Sequence, residues 1–79
     1  MKEYSVDVGS WERGRMHRIY AETPEQVHDL ALKYCVAPDS NEIIVQIHEV
    51  ICGRKVCVYD YINGFGIYQG SDDASEDVH

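Results

Sequence analysis

Glu22-Thr23-Pro24-Glu25-Gln26-Val27-His28-Asp29-Leu30-Ala31-Leu32-Lys33-Tyr34-Cys35 is the stretch that decides the fold. Thr23 is a good N-cap. Pro24 suits the first helical position, where its missing N–H costs nothing. Gln26, three residues after Thr23, completes a capping box. Val27, Leu30, Ala31 and Tyr34 then recur at i, i+3, i+4 and i+7, which makes one apolar stripe. The spacing predicts one amphipathic helix ending near Cys35, before Val36-Ala37-Pro38-Asp39-Ser40-Asn41.

Everything outside that helix reads as strand and turn. In Lys2–Val8, Tyr4, Val6 and Val8 alternate with Glu3, Ser5 and Asp7, the period of a half-buried strand. Gly9–Gly14, with glycine at both ends, reads as a hairpin loop. Arg15–Glu22 is a second strand with two possible inward sets: Met16, Arg18 (by its stem) and Tyr20, or His17, Ile19 and Ala21; the second, with Ile19 and Ala21 inward, is favoured. Glu42–Val50 is rich in β-branched residues and reads as a central strand, Cys52-Gly53-Arg54 as its turn, and Lys55–Tyr61 as the next strand. Asn63-Gly64 is a hairpin signal, and Phe65–Gln69 is a last short strand. The order ββαβββ predicts an α+β domain: a small antiparallel sheet with one helix packed on one face. Residues 1–69 form that single domain, and residues 70–79 are an acidic tail.

The chain has 79 residues and a net charge of −7. A domain this small buries one modest core and has little room for a deep pocket. The last ten residues hold Asp72, Asp73, Glu76 and Asp77, four of the fourteen acids, and none of the seven Lys and Arg. The tail is either a disordered solubilising end or part of a binding surface. The charge balance disfavours direct contact with nucleic acid or an anionic membrane and favours a basic partner. The three cysteines, an odd count, read as reduced thiols of a cytoplasmic protein, and no apolar run reaches the roughly 18 to 20 residues of a membrane helix.

Each of the chemistry-bearing side chains also has a plainer role open to it. His48, Cys52 and Cys57 lie within ten residues, but their spacing contains no CxxC pair, and a fourth zinc ligand would have to come from His17, His28 or an acid. The plainer reading makes Cys57 a small core residue and Cys52 a turn residue, so neither a metal nor any other cofactor is expected. A thiol with a His and a carboxylate (Cys52 or Cys57, His48, Asp60) is formally present, without a recognisable local signature. No phosphate-binding loop opens a helix, so the expectation is that the protein is not an enzyme.

Surface logic selects different residues. Glu22, Glu25 and Asp29 are spaced three and four apart and share a helix face, although acids near a helix N-terminus also suit the macrodipole. Tyr4 and Tyr34 belong to core stripes. If Val56 and Val58 face the helix, then Cys57, Tyr59 and Tyr61 lie on the open face of the sheet, where tyrosines fit a protein interface. Trp11, in the first hairpin loop, either anchors a partner or folds back over the sheet edge. The residues expected to contact a partner are Glu25, Asp29, Tyr59, Asp60 and Tyr61, with Asp72, Asp73, Glu76 and Asp77 as auxiliaries.

The run Arg13–Tyr34 (strand, Ala-Glu-Thr cap, helix), followed by the Ile43–Tyr68 meander, resembles in layout the small phage anti-CRISPR proteins directed at type I surveillance complexes. The small size and acidity are also typical of that group. The resemblance implies binding to the positively charged face of a CRISPR effector complex (Cascade), where target DNA enters, and inhibition by occupancy or charge mimicry. It implies action in the host cytoplasm. It carries over no individual functional residue. Exposed sheet edges permit dimerisation but do not require it, so a monomer or weak homodimer is expected. Two other functions stay open: an antitoxin-like or other regulatory partner that neutralises a host enzyme, and a small zinc- or thiol-dependent module on His48, Cys52 and Cys57.

Overall fold

In the computed structural model, residues 1–10 and 13–66 are described. The elements follow the predicted order: β1 (Lys2–Gly9), β2 (Gly14–Ala21), α1 (Pro24–Tyr34), β3 (Ile43–Ile51), β4 (Arg54–Asp60) and β5 (Gly64–Phe65). The strands form one sheet in the order β2-β1-β3-β4-β5, and every neighbouring pair is antiparallel. With α1 on one face, this is the α+β architecture read from the sequence. Trp11 and residues 67–79, including Asp72, Asp73, Glu76 and Asp77, lie outside the described residues. No helix among the described residues is long and apolar enough to cross a membrane.

The helix begins where its side chains dictate. The Thr23 hydroxyl accepts the Gln26 N–H at 3.2 Å, and the Gln26 side-chain oxygen accepts the Glu22 N–H at 2.9 Å. Two donors near the helix start are thereby satisfied. At the other end the Cys35 N–H returns to the Ala31 carbonyl at 2.8 Å. Arg15, from β2, donates to the Cys35 carbonyl and to Glu42 Oε1 at 2.7 Å, tying the helix exit to the entrance of β3.

The core lies between α1 and the sheet. Tyr4, Val6 and Val8 of β1 are fully buried, with Ala21, Val27, Ala31, Ile44, Ile47 and Val58 around them. Ile19 packs against this cluster and Ala21 belongs to it, so the favoured inward set of β2 is the observed one. Burying each large aliphatic side chain stabilises the fold by roughly 1.5–3 kcal/mol.

The β1–β2 and β3–β4 hairpins, which turn at opposite ends of the strands, close by different means. At the first, a side chain on Gly9 would meet the Arg13 carbonyl at 2.9 Å, so only glycine allows the strands to approach there. At the β3–β4 turn, Cys52 (φ 52) and Gly53 (φ 80) both have positive φ, the pattern of a two-residue type I′ hairpin.

Two expectations about the core need correction. Tyr34 is 71% exposed. The buried stripe runs through Val27 and Ala31 to the partly buried Cys35 and Val36. It therefore advances by fours, and Tyr34, the last helical residue, falls outside it. Tyr59, expected on the open face, instead packs against the core cluster. The cause is a β-bulge: Ile47 pairs with Tyr59 and His48 with Cys57, leaving Val58 as an extra residue on β4. Alternation is reset there, so Val58 is buried as expected and Tyr59 joins it on the helix side.

Candidate functional site

The helix and the bulge together build one mixed surface. His28 projects from α1 towards the β4–β5 hairpin, where its ring centroid lies 4.8 Å from that of Tyr59 and 5.5 Å from that of Phe65. Tyr59 and Phe65 are 4.7 Å apart, so the three rings are in mutual contact. Residues along a helix advance by about 100°. In angular order His28 is followed by Leu32, Glu25 and Asp29. The helix flank beside the rings therefore carries an exposed leucine (51% exposed) and two exposed acids. Phe65 (39%) and Ile62 (86%) continue the apolar surface on the hairpin.

Asp60 and Tyr61 occupy other positions. The Asp60 carboxylate accepts the Asn63 N–H at 2.7 Å and the Asn63 side-chain amide at 3.4 Å. It thereby closes the turn that presents Ile62 and launches β5. Tyr61 is 60% exposed, and its N–H donates to the Val45 carbonyl. Its side chain lines an open recess of about 470 Å³ with Gly9, Ser10, Asn41, Ile43 and Val45. That recess sits at the beginning of β3, while Glu25 sits at the start of α1, near the end of β3. Glu25 and Asp29 thus lie on the helix flank next to His28, whose ring meets that of Tyr59, while Tyr61 lines the recess with its phenol still close enough to act on that of Tyr59.

A second group of acids gathers around the start of the helix. Tyr4 pairs with Glu49 in the β1–β3 register, and Glu22 and Glu25 stand just after Ala21, the partner of Lys2. Burial first, and then the Glu49, Glu25 and Glu22 carboxylates, push the Tyr4 phenol above its ordinary range. The Tyr59 phenol is raised as well, by burial first and then by Tyr61 and Asp60. Burial also raises the Cys35 thiol, against a smaller opposing effect of Arg15.

The metal-ligand types are only partly assembled. His48 and Cys57 face each other across β3 and β4, and the Cys57 thiol donates to the Tyr59 carbonyl at 3.4 Å. Cys52 is exposed in the turn beyond them. Among the described residues, no group of three or more His, Cys, Asp or Glu is placed to hold a metal ion.

Sequence reasoning missed His28, Leu32, Phe65, Tyr4 and Glu49 as members of these surfaces. The leucine and histidine could have been found from the helix angle alone. The others depend on strand register. Comparisons with protein families, with curated proteins and with solved structures found no match for the chain.

Proposed function

We propose that this protein is a non-enzymatic inhibitor that docks on a basic surface of a nucleic-acid-handling complex. In its most specific form, the proposal is an anti-CRISPR protein that stops a type I Cascade from binding target DNA. The observation that carries it is the helix flank on which Glu25 and Asp29 run beside Leu32 and the His28–Tyr59–Phe65 ring cluster. Carboxylates there meet lysines and arginines, while the rings and aliphatics supply the water-excluding centre that a charge-only contact lacks. A net charge of −7 speeds the encounter with a cationic groove. The same surface, acting in the host cytoplasm, needs no cofactor and no direct contact with nucleic acid.

The test is target-DNA binding by purified type I Cascade complexes, with and without the protein, over a salt series. Loss of DNA binding at low salt, with co-elution of the protein and Cascade, supports the proposal. Normal DNA binding by every complex, with no co-elution, overturns it.

A further inference from the structure

The edge of the sheet at β2 is long, regular and unguarded. Among the described residues, β2 has a strand on one side only, β1. Edge strands are commonly blunted by shortness, proline, a bulge or an unpaired charge. The other edge, β5, is two residues long. β2 has eight residues, no proline and an unbroken register with β1. Its two arginines are each met by an acid of the same chain, Arg15 by Glu42 at 2.7 Å and Arg18 by Glu3 at 3.3 Å. The charge that would fend off a neighbouring strand is thus largely neutralised.

The hairpin shows which groups this edge offers. The Ser10 N–H donates to the Arg13 carbonyl at 2.8 Å. In an antiparallel ladder, hydrogen-bonded pairs alternate with non-bonded ones. Counting from Ser10 and Arg13, the bonded pairs are Val8–Arg15, Val6–His17, Tyr4–Ile19 and Lys2–Ala21. The N–H and C=O groups of Met16, Arg18 and Tyr20 therefore point away from β1. Their side chains lie on the open face of the sheet, because their partners Asp7, Ser5 and Glu3 alternate with the buried Tyr4, Val6 and Val8. Met16 and Tyr20, both exposed, stand on either side of Arg18.

We propose that β2 is the docking edge for a second copy of this chain, whose own β2 pairs with it antiparallel about a two-fold axis at Arg18. The strand is self-complementary in that register. Met16 stands opposite the partner's Tyr20, and Tyr20 opposite the partner's Met16, so a thioether meets an aromatic ring on both sides of the axis. Each of the three facing pairs exchanges two N–H···O bonds, because all three positions carry outward groups. A slip of one residue sets those groups against residues already bonded to β1. Moving the axis to His17 keeps the bonds but puts Met16 against arginine and Tyr20 against Gly14. Charge also favours this edge. Each chain has a net charge of −7, and β2 contains arginines and no acid, so two acidic molecules meet along strands that carry no acid. Only residues 16–20 are matched on each side, against roughly 20–30 residues in a standard interface, so the dimer is weak, with a Kd on the order of 0.1 mM. The ring cluster lies at the opposite edge, by β4 and β5, so the dimer is independent of the function proposed above.

The experiment is sedimentation equilibrium of the full chain up to about 1 mM, at about 0.15 and 0.5 M salt, a range that spans the expected Kd and two screening lengths. Isotope-filtered NMR of a one-to-one mixture of labelled and unlabelled chains reads the contacts. The expected result is a monomer–dimer equilibrium that tightens as salt rises, because screening lowers the repulsion between two chains of charge −7. The NMR should show contacts between copies from the Met16 methyl to the Tyr20 ring. Arg18→Pro should abolish the dimer, since it removes an outward N–H and leaves the ladder to β1 intact. If Arg18→Pro does not fold, Met16→Glu takes its place and should weaken association by about tenfold, one apolar pair being lost on each side of the axis. A chain that stays monomeric at about 1 mM, the upper end of that range, overturns the proposal. So does a dimer that weakens as salt rises, a dimer whose contacts lie elsewhere, or a folded Arg18→Pro variant that still associates.

Discussion

Tyr59 stands opposite Ile47 on β3, one residue out of step with simple alternation, and its ring centroid lies 4.8 Å from that of His28. A side chain that the strand pattern assigns to the open face therefore joins helix to sheet. Tyr59→Ala should destabilise the fold by about 3 kcal/mol, in the range of large aromatic truncations. His28→Ala should cost about 1 kcal/mol through the lost ring contacts. Tyr61→Ala, at an exposed position, should stay within about 0.5 kcal/mol. Urea unfolding of the three variants measures all of this. Equal small effects at Tyr59 and Tyr61 would mean that the bulge does not place Tyr59 against the core.

The β3–β4 turn has a residue that its geometry does not favour. Cys52 sits at φ 52, and Gly53 follows at φ 80. A side chain with an ordinary Cβ is strained there, whereas asparagine tolerates the left-handed region and suits this turn type. Cys52→Asn should therefore stabilise the protein by about 0.5–1 kcal/mol, seen as a higher thermal midpoint. A lower midpoint would show that the cysteine makes a contact worth more than the strain.

The helix was legible because its signals are local. Thr23 and Gln26 act within four residues of each other: the Thr23 half of the capping box forms as read, whereas the Gln26 side chain accepts from the Glu22 N–H and not from the Thr23 N–H that the box requires. Thr23→Ala should remove about 1 kcal/mol, read by the same urea experiment. The strands were legible in number and order, since turn residues and β-branched runs punctuate them. The face of β4 beyond Cys57 was not. A bulge adds one residue to one strand only, and nothing in Val56-Cys57-Val58-Tyr59 announces it. Tyr34 was misread for a related reason. A stripe spaced at 27, 30, 31 and 34 fits the helical period, but which edge of it meets the sheet depends on the angle at which the helix lies. The ring cluster and the Tyr4–Glu49 pair are register facts, so only the finished sheet shows them.

Raised phenol and thiol values set the alkaline limb of stability. Tyr4, Tyr59 and Cys35 all hold their protons more tightly when folded than their ordinary values of 10.0, 10.0 and 9.0. In that window the native state binds more protons than the unfolded chain, so stability falls as pH rises. The contribution is fully present below about pH 9 and is lost as pH climbs through the folded values. Tyr4→Phe and Tyr59→Phe should each flatten the decline seen in urea midpoints between about pH 9 and 11. A wild-type midpoint independent of pH across this range would contradict the burial of both phenols.

Charge reversal on the helix flank separates electrostatic docking from simple shape. Glu25 and Asp29 are exposed, and neither makes an ion pair shown among the described residues. Replacing both by lysine changes the local charge by four units without touching the core. The cost to folding should stay near 1 kcal/mol, mostly from the loss of Glu25 in the first helical turn, where the macrodipole favours an acid. If these acids steer the protein onto a basic surface, the double variant should associate with Cascade at least about tenfold more slowly at low salt. The gap to wild type should then narrow as salt rises, because the screening length falls from about 10 Å at 0.1 M to about 3 Å at 1 M. Leu32→Ala gives the opposite signature: its effect falls on dissociation and persists at high salt, since apolar burial is not screened. Association kinetics on immobilised complex, measured at three salt concentrations, distinguish the two. Variants that lose affinity equally at every salt concentration would place the recognition in the rings and aliphatics and leave the acids as solvated surface.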